Sequence, residues 1–99
     1  MSAFFCKLVP PRPTFAADMT PDERALMQAH AEYWKRYVDS GQVIAFGFVA
    51  DTAGPYGIGV VEFDDENAVR DFTAADPAIA ANRGFRYEIH LMPLGVTHA

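Results

Sequence analysis

Ninety-nine residues suffice for one small domain with one core. Hydrophobic residues make up 51% and aromatics 13%, values of a globular chain rather than a disordered one. A net charge of -5 excludes a non-specific grip on nucleic acid, which needs a basic surface, and argues against docking on anionic lipid.

The opening Met1-Ser2-Ala3-Phe4-Phe5-Cys6 has no basic segment and only a short apolar run before Lys7, so it does not read as a signal peptide. No run approaches the ~18 apolar residues of a membrane span. The expectation is a cytoplasmic protein with neither a membrane nor a nucleic-acid partner. The single Cys6 has no mate for an internal disulfide and reads as a small core residue.

Ala3 to Val9 alternates as a strand, with Phe4, Cys6 and Leu8 on one face and Phe5, Lys7 and Val9 on the other. Pro10, Pro11 and Pro13 end it and begin a stiff connection. Thr20-Pro21-Asp22-Glu23 is a helix start: Thr20 caps, Pro21 fits the first helical position, and Glu23 closes a capping box. The helix is predicted from Pro21 to about Ser40, with Gly41 as terminator. At about 100° per residue, Leu26, His30, Tyr33 and Tyr37 form its apolar stripe. Met27, Trp34 and Val38 flank that stripe, and Arg24, Gln28, Glu32, Lys35, Arg36 and Asp39 lie opposite.

Val43 to Ala50 is apolar throughout and predicts a strand covered on both faces. A turn-rich link with Gly54-Pro55 leads to a hairpin partner, Tyr56 to Phe63. Asp64-Asp65-Glu66 starts a second helix with Ala68, Val69, Phe72 and Ala75 on its inner face, and Pro77 stops it. Asp76-Pro77 opens a short turn that ends near Gly84. Phe85 to Met92 alternates as the last strand.

The order β-α-β-β-α-β is the ferredoxin-like arrangement, an α+β fold with two helices on one face of a four-stranded antiparallel sheet. Residues 1–99 form a single domain. Val43, Ile44, Phe46, Phe48 and Val49 are too many apolar side chains for two helices to cover. An exposed apolar sheet face of that size marks an interface, so a homodimer through the open sheet face is expected.

The chemistry centres on His30. In the middle of an apolar stripe its ring nitrogens need partners, since a buried unpaired polar group costs about 1–3 kcal/mol. An imidazole with an arranged partner serves as a general base. The plainer role is a core histidine bonded to a carbonyl or to water. Asp76 precedes Pro77 and is placed to cap the following turn. One carboxylate oxygen can do so while the other faces elsewhere. Tyr33, Trp34 and Phe46 are candidate substrate-binding residues. His90 reads as a surface or interface residue, and His98 as part of a frayed terminus. The histidines have no paired metal spacing and the lone cysteine has no partner, so no metal site is expected. No phosphate loop, dinucleotide fingerprint or serine nucleophile elbow occurs, so no cofactor is expected either.

Three stretches carry a resemblance: Thr20-Pro21-Asp22-Glu23-Arg24 through His30-Ala31-Glu32-Tyr33-Trp34, then Gly41 leading into the second strand, then Ala75-Asp76-Pro77-Ala78. With the element order, they make the chain resemble the YCII-related family, small ferredoxin-like proteins that form dimeric α+β barrels. The resemblance implies that His30 and Asp76 face one pocket as a catalytic pair. The family often has a Gly-Pro step at the end of the second strand. Here Phe46-Gly47-Phe48-Val49 stands there and Gly54-Pro55 comes later, so the pocket wall is expected to differ. Two functions are carried forward. One is cofactor-free isomerase or lyase chemistry on a small organic acid or cyclic metabolite. The other is a non-catalytic module binding a small ligand or a partner protein.

Overall fold

The computed structural model describes residues 2–93. Its elements are β1 (Ser2–Val9), α1 (Phe15–Asp18), α2 (Pro21–Asp39), β2 (Val43–Val49), β3 (Tyr56–Phe63), α3 (Glu66–Ala74), α4 (Pro77–Ala80) and β4 (Arg86–Met92). The strands form one antiparallel sheet in the order β2-β3-β1-β4. This is the α+β, ferredoxin-like arrangement that the sequence pattern predicts. The predicted strand and helix ends shift by a residue or so, as fraying ends do. One element has no counterpart in the sequence reading: the single helical turn α1 inside the proline-rich connection.

The register explains which side chains face the helices. Phe4, Cys6 and Leu8 of β1 pair with Val61, Gly59 and Gly57 of β3 and with Leu91, Ile89 and Tyr87 of β4. These residues share one face. Tyr33 and Trp34 of α2 and Val69 and Phe72 of α3 pack on it, in one cluster with Phe4, Cys6, Val43, Val61 and Phe63. Each fully buried aromatic or branched side chain contributes about 1.5–3 kcal/mol, so this layer supplies most of the fold's apolar stabilisation. Trp34, at 2% exposure, is among its largest members. The indole fits because position 59, directly beneath it, is glycine.

The start of α2 is held from two sides. Thr20 Oγ1 accepts from the Glu23 N–H at 3.2 Å, and Glu23 Oε1 accepts from the Thr20 N–H at 2.9 Å. The Arg12 guanidinium then donates to both Glu23 oxygens, at 2.8 and 2.7 Å, and to Asp18 Oδ1 at 2.7 Å. The connection Pro10–Thr20 is thereby tied to the helix it precedes. Gly41, at φ +86°, ends the other terminus in the left-handed region that suits glycine.

Strand β2 contains an irregularity. Val43 pairs with Val61 and Ala45 with Val60, which leaves Ile44 as the extra residue of a bulge. The bulge resets the alternation, so Phe46 and Phe48 pair with Gly59 and Gly57 on the helix-bearing side. The sequence expectation of a strand covered on both faces is not met: the bulge divides the apolar side chains of this edge strand between the two sheet faces, and Phe48, on the helix-bearing side, stays 64% exposed. The opposite sheet face carries Ala45, Val49, Ile58, Val60 and Phe5, with Lys7, Glu62, Glu88 and His90 among them. Among the described residues, no helix is long and apolar enough to cross a membrane.

Candidate active site

Asp76 is the hub of the site. It is fully buried, at 0% exposure, and sits between α3 and α4. Its backbone is extended and Pro77 begins the next turn, as an N-cap before proline requires. Oδ1 accepts from the Ala78 N–H at 2.9 Å. Oδ2 faces the other way, toward α2 and β4. Trp34 Nε1–H donates to it at 2.7 Å, the Tyr87 hydroxyl at 2.5 Å, and His30 Nδ1 lies 2.7 Å away. Trp34 Nε1–H also reaches the Tyr87 oxygen, at 3.0 Å.

Burial, the largest influence on this carboxyl, pushes its pKa up. The His30 hydrogen bond and charge, with the bonds from Tyr87 and the Ala78 N–H, outweigh burial and hold it below the usual carboxylate range. Asp76 is therefore ionised near neutral pH, and an ionised carboxylate only accepts. The proton between it and His30 must then reside on Nδ1, and in the neutral imidazole that tautomer carries its lone pair on Nε2. The Tyr87 hydroxyl is driven in the opposite direction. Burial first, then the neighbouring Asp76 charge, raise its pKa, so it stays a neutral donor.

His30 is 16% exposed at its side chain. It lies at the wall of a cavity of about 320 Å³ between α1, the first half of α2 and the adjoining ends of β2 and β3. Among the described residues, Nδ1 is the ring nitrogen with a hydrogen-bond partner. A small recess of about 10 Å³ lies deeper, lined by His30, Trp34, Phe46 and Tyr87 among others. The arrangement is a buried carboxylate, an imidazole oriented by it, and an apolar chamber beside the imidazole. Such a set can take up and return a proton.

The candidate residues of the sequence reading fall at different places. His30 and Asp76 are brought together. Phe46 lines the cavity. Trp34 lies behind the cavity wall, touching only the small recess, and spends its N–H on Asp76. Tyr33 is not among the cavity-lining residues. One turn along the helix it faces α3, donates to the Phe72 carbonyl at 2.7 Å, and borders a groove on that side with Tyr37. His90 is exposed on β4, and His98 lies outside the described residues. Cys6 is buried, and burial pushes its thiol up to about 12. No group of three His, Cys, Asp or Glu among the described residues is placed to hold a metal ion.

Sequence reasoning missed Tyr87 as a member of the site. Its alternation with Ile89 and Leu91 marked it as inward-facing. Nothing local to β4 shows that its hydroxyl meets a residue eleven positions earlier. The only available signal was the hydroxyl itself: a buried tyrosine normally finds a hydrogen-bond partner.

A comparison with curated proteins finds no match. A comparison with protein families finds the YCII-related domain over residues 3–93, nearly the whole chain. The match spans every strand and helix that positions His30 and Asp76, and the chain belongs to the YCII-related family.

Proposed function

We propose that this protein is a cofactor-free proton-transfer enzyme, an isomerase or lyase acting on a small organic acid or cyclic metabolite. His30 is the general base and acid, and Asp76 is its orienting partner. The observation that carries the reading is the 2.7 Å contact between His30 Nδ1 and a carboxylate oxygen at full burial, with the same imidazole lining an open cavity.

The chemistry follows from the tautomer. A substrate C–H next to a carbonyl loses its proton to Nε2, and the electron pair of that bond moves into the carbonyl as an enolate. The imidazolium formed is stabilised by Asp76 across Nδ1–H. In an isomerisation, the same proton returns at another carbon of the conjugated system. In an elimination, the electron pair forms a carbon–carbon double bond, a neighbouring substituent departs with its bonding pair, and the imidazolium gives its proton to that substituent or to water. Both cycles are redox-neutral overall and need no external oxidant.

The test is deuterium incorporation from heavy water into a panel of small unsaturated ketones and lactones, followed by proton NMR. His30→Gln should slow exchange by roughly 10²–10⁴-fold, the usual contribution of a positioned general base, with the fold unchanged. Equal exchange in the variant overturns the reading. A thermal melt of His30→Leu addresses the binding-module alternative. A clear gain in stability with ligand binding retained would favour it, since an apolar replacement of a purely structural polar group is tolerated.

A homodimer through the open sheet face belongs to the same proposal. It is supported by the apolar side chains Ala45, Val49, Ile58, Val60 and Phe5 on that face. Sedimentation of the protein as a monomer at micromolar concentration would overturn it.

A further inference from the structure

The cavity beside His30 differs from ordinary metabolite sites in what its wall lacks. Its volume of about 320 Å³ accommodates a molecule of one or two rings. Leu8, Phe15, Met27, Phe46 and Phe85 give the wall its character, and His30 is the titratable side chain that the site's hydrogen bonds place on it. No lysine or arginine lines it among the described residues. Three cations near lining residues along the chain have partners of their own, and one of them, Arg86 next to Phe85, donates to Glu88 at 2.7 Å. Arg12 donates to Asp18 and Glu23, and Lys7 lies over the Tyr56 ring at 4.3 Å. Arg12 and Lys7 border a separate recess.

An anionic ligand would meet two costs here. Its carboxylate would leave water for an apolar wall with no cationic partner, and transfer of an unpaired ion is expensive. With the imidazole neutral, as proton uptake by it requires, it would also approach the negative charge of Asp76. Proton transfer sharpens the argument. From a neutral substrate it yields an alternating series: Asp76 carboxylate, imidazolium, enolate. From a carboxylate substrate it yields two negative charges on one molecule in a chamber with a single new positive charge.

We infer that the compound this cavity takes is uncharged and largely apolar, of one or two rings, with its one activated C–H beside a carbonyl placed at His30. The inference narrows the proton-transfer reading above and rests on it for the chemistry. The ligand class rests on the wall alone.

Isothermal titration at neutral pH with naphthol and naphthoate tests it, because the two have similar size and shape and differ in charge. Naphthol should bind saturably, and naphthoate at least about tenfold more weakly. Phe48→Lys places a cation among the lining residues, where the native side chain is 64% exposed. This variant should narrow or reverse the difference. Equal or tighter binding of naphthoate, failure of naphthol to bind, or an unchanged preference in Phe48→Lys each overturns the inference. His30→Gln separates it from the proton-transfer reading. Naphthol binding kept with exchange lost supports both, and naphthol binding kept with exchange undiminished removes only the chemistry.

Discussion

Gly59 and Trp34 occupy a space that admits only one side chain. A Cβ added to Gly59 would overlap Cζ3 and Cη2 of the indole. The contact matters beyond packing, because the same indole donates to Asp76 Oδ2. The sheet floor beneath α2 thus sets the height of one of the groups that hold the carboxylate.

Gly59→Ala should therefore destabilise the protein by about 1–3 kcal/mol, the usual cost of overpacking a filled core. Urea unfolding measures the loss, and Trp34 fluorescence reads the displaced ring. An alanine variant as stable as the parent, with an unchanged emission spectrum, would show that α2 can lift without strain.

Asp76→Asn keeps an oxygen for the Ala78 N–H but replaces the multiple acceptor Oδ2 by an amide that must donate. Trp34 and Tyr87 then lose a common acceptor. The expected cost is about 1–3 kcal/mol, that of buried donors left unpaired, and the His30 Nδ1–H bond is lost with it. Nitrogen NMR of His30 should show the proton leaving its fixed place on Nδ1. A retained Nδ1–H tautomer in this variant would mean that Asp76 does not set it.

Tyr87→Phe removes one donor from Asp76 Oδ2 while leaving the ring's packing. Its direct cost is about 1 kcal/mol. Its sharper signature lies in pH. The folded-state pKa of Asp76 is depressed, so its contribution is present above the ordinary carboxylate value and lost as pH falls through the depressed one. With the Tyr87 bond lowering it no longer, the loss should begin at higher pH in the variant. Stability curves against pH that superimpose for the two proteins would rule this out.

The tie between Arg12 and Glu23 gives a second acid-sensitive element. The Arg12 hydrogen bond, aided by the Thr20 N–H, lowers Glu23 from 4.5 to about 2. The pair's stabilisation is therefore complete above about pH 4.5 and disappears as pH drops toward 2. Glu23→Gln should show a flatter thermal-melt profile across that window, where the parent's melting temperature falls. A parent profile already flat there would mean the tie adds nothing to folding.

Cys6, buried and with its thiol raised to about 12, should resist alkylation by iodoacetamide in native buffer and react once urea unfolds the chain. Rapid labelling of the folded protein would place the thiol at the surface.

Much of this architecture is written locally. The Thr20–Glu23 box, Gly41 and the alternation of Phe4, Cys6 and Leu8 are short-range signals, and each stands where its pattern placed it. The α1 turn was hidden because three prolines mask a single helical turn whose stability comes from Phe15 packing against Phe85 at 5.1 Å. The bulge at Ile44 was hidden because a uniformly apolar strand has no alternation to interrupt. The site itself divides the same way. His30 stands out within its own helix, and Asp76 within its turn. That Trp34 and Tyr87 converge on the same oxygen depends on β4 lying beside β1 and on α2 packing beside β2 and α4, which no local pattern encodes.

The stretch from Pro10 to Thr20 supplies Pro10, Phe15, Ala16 and Met19 to the cavity wall, yet none of the groups around Asp76. The groups around Asp76 come from α2, the Asp76-Pro77 step and β4. One part of the chamber wall is thus carried by a piece of chain separate from the groups that meet at Asp76. Exchanging residues in that stretch, with Arg12 kept as its anchor, would re-shape what the chamber admits while leaving the imidazole and its carboxylate in place.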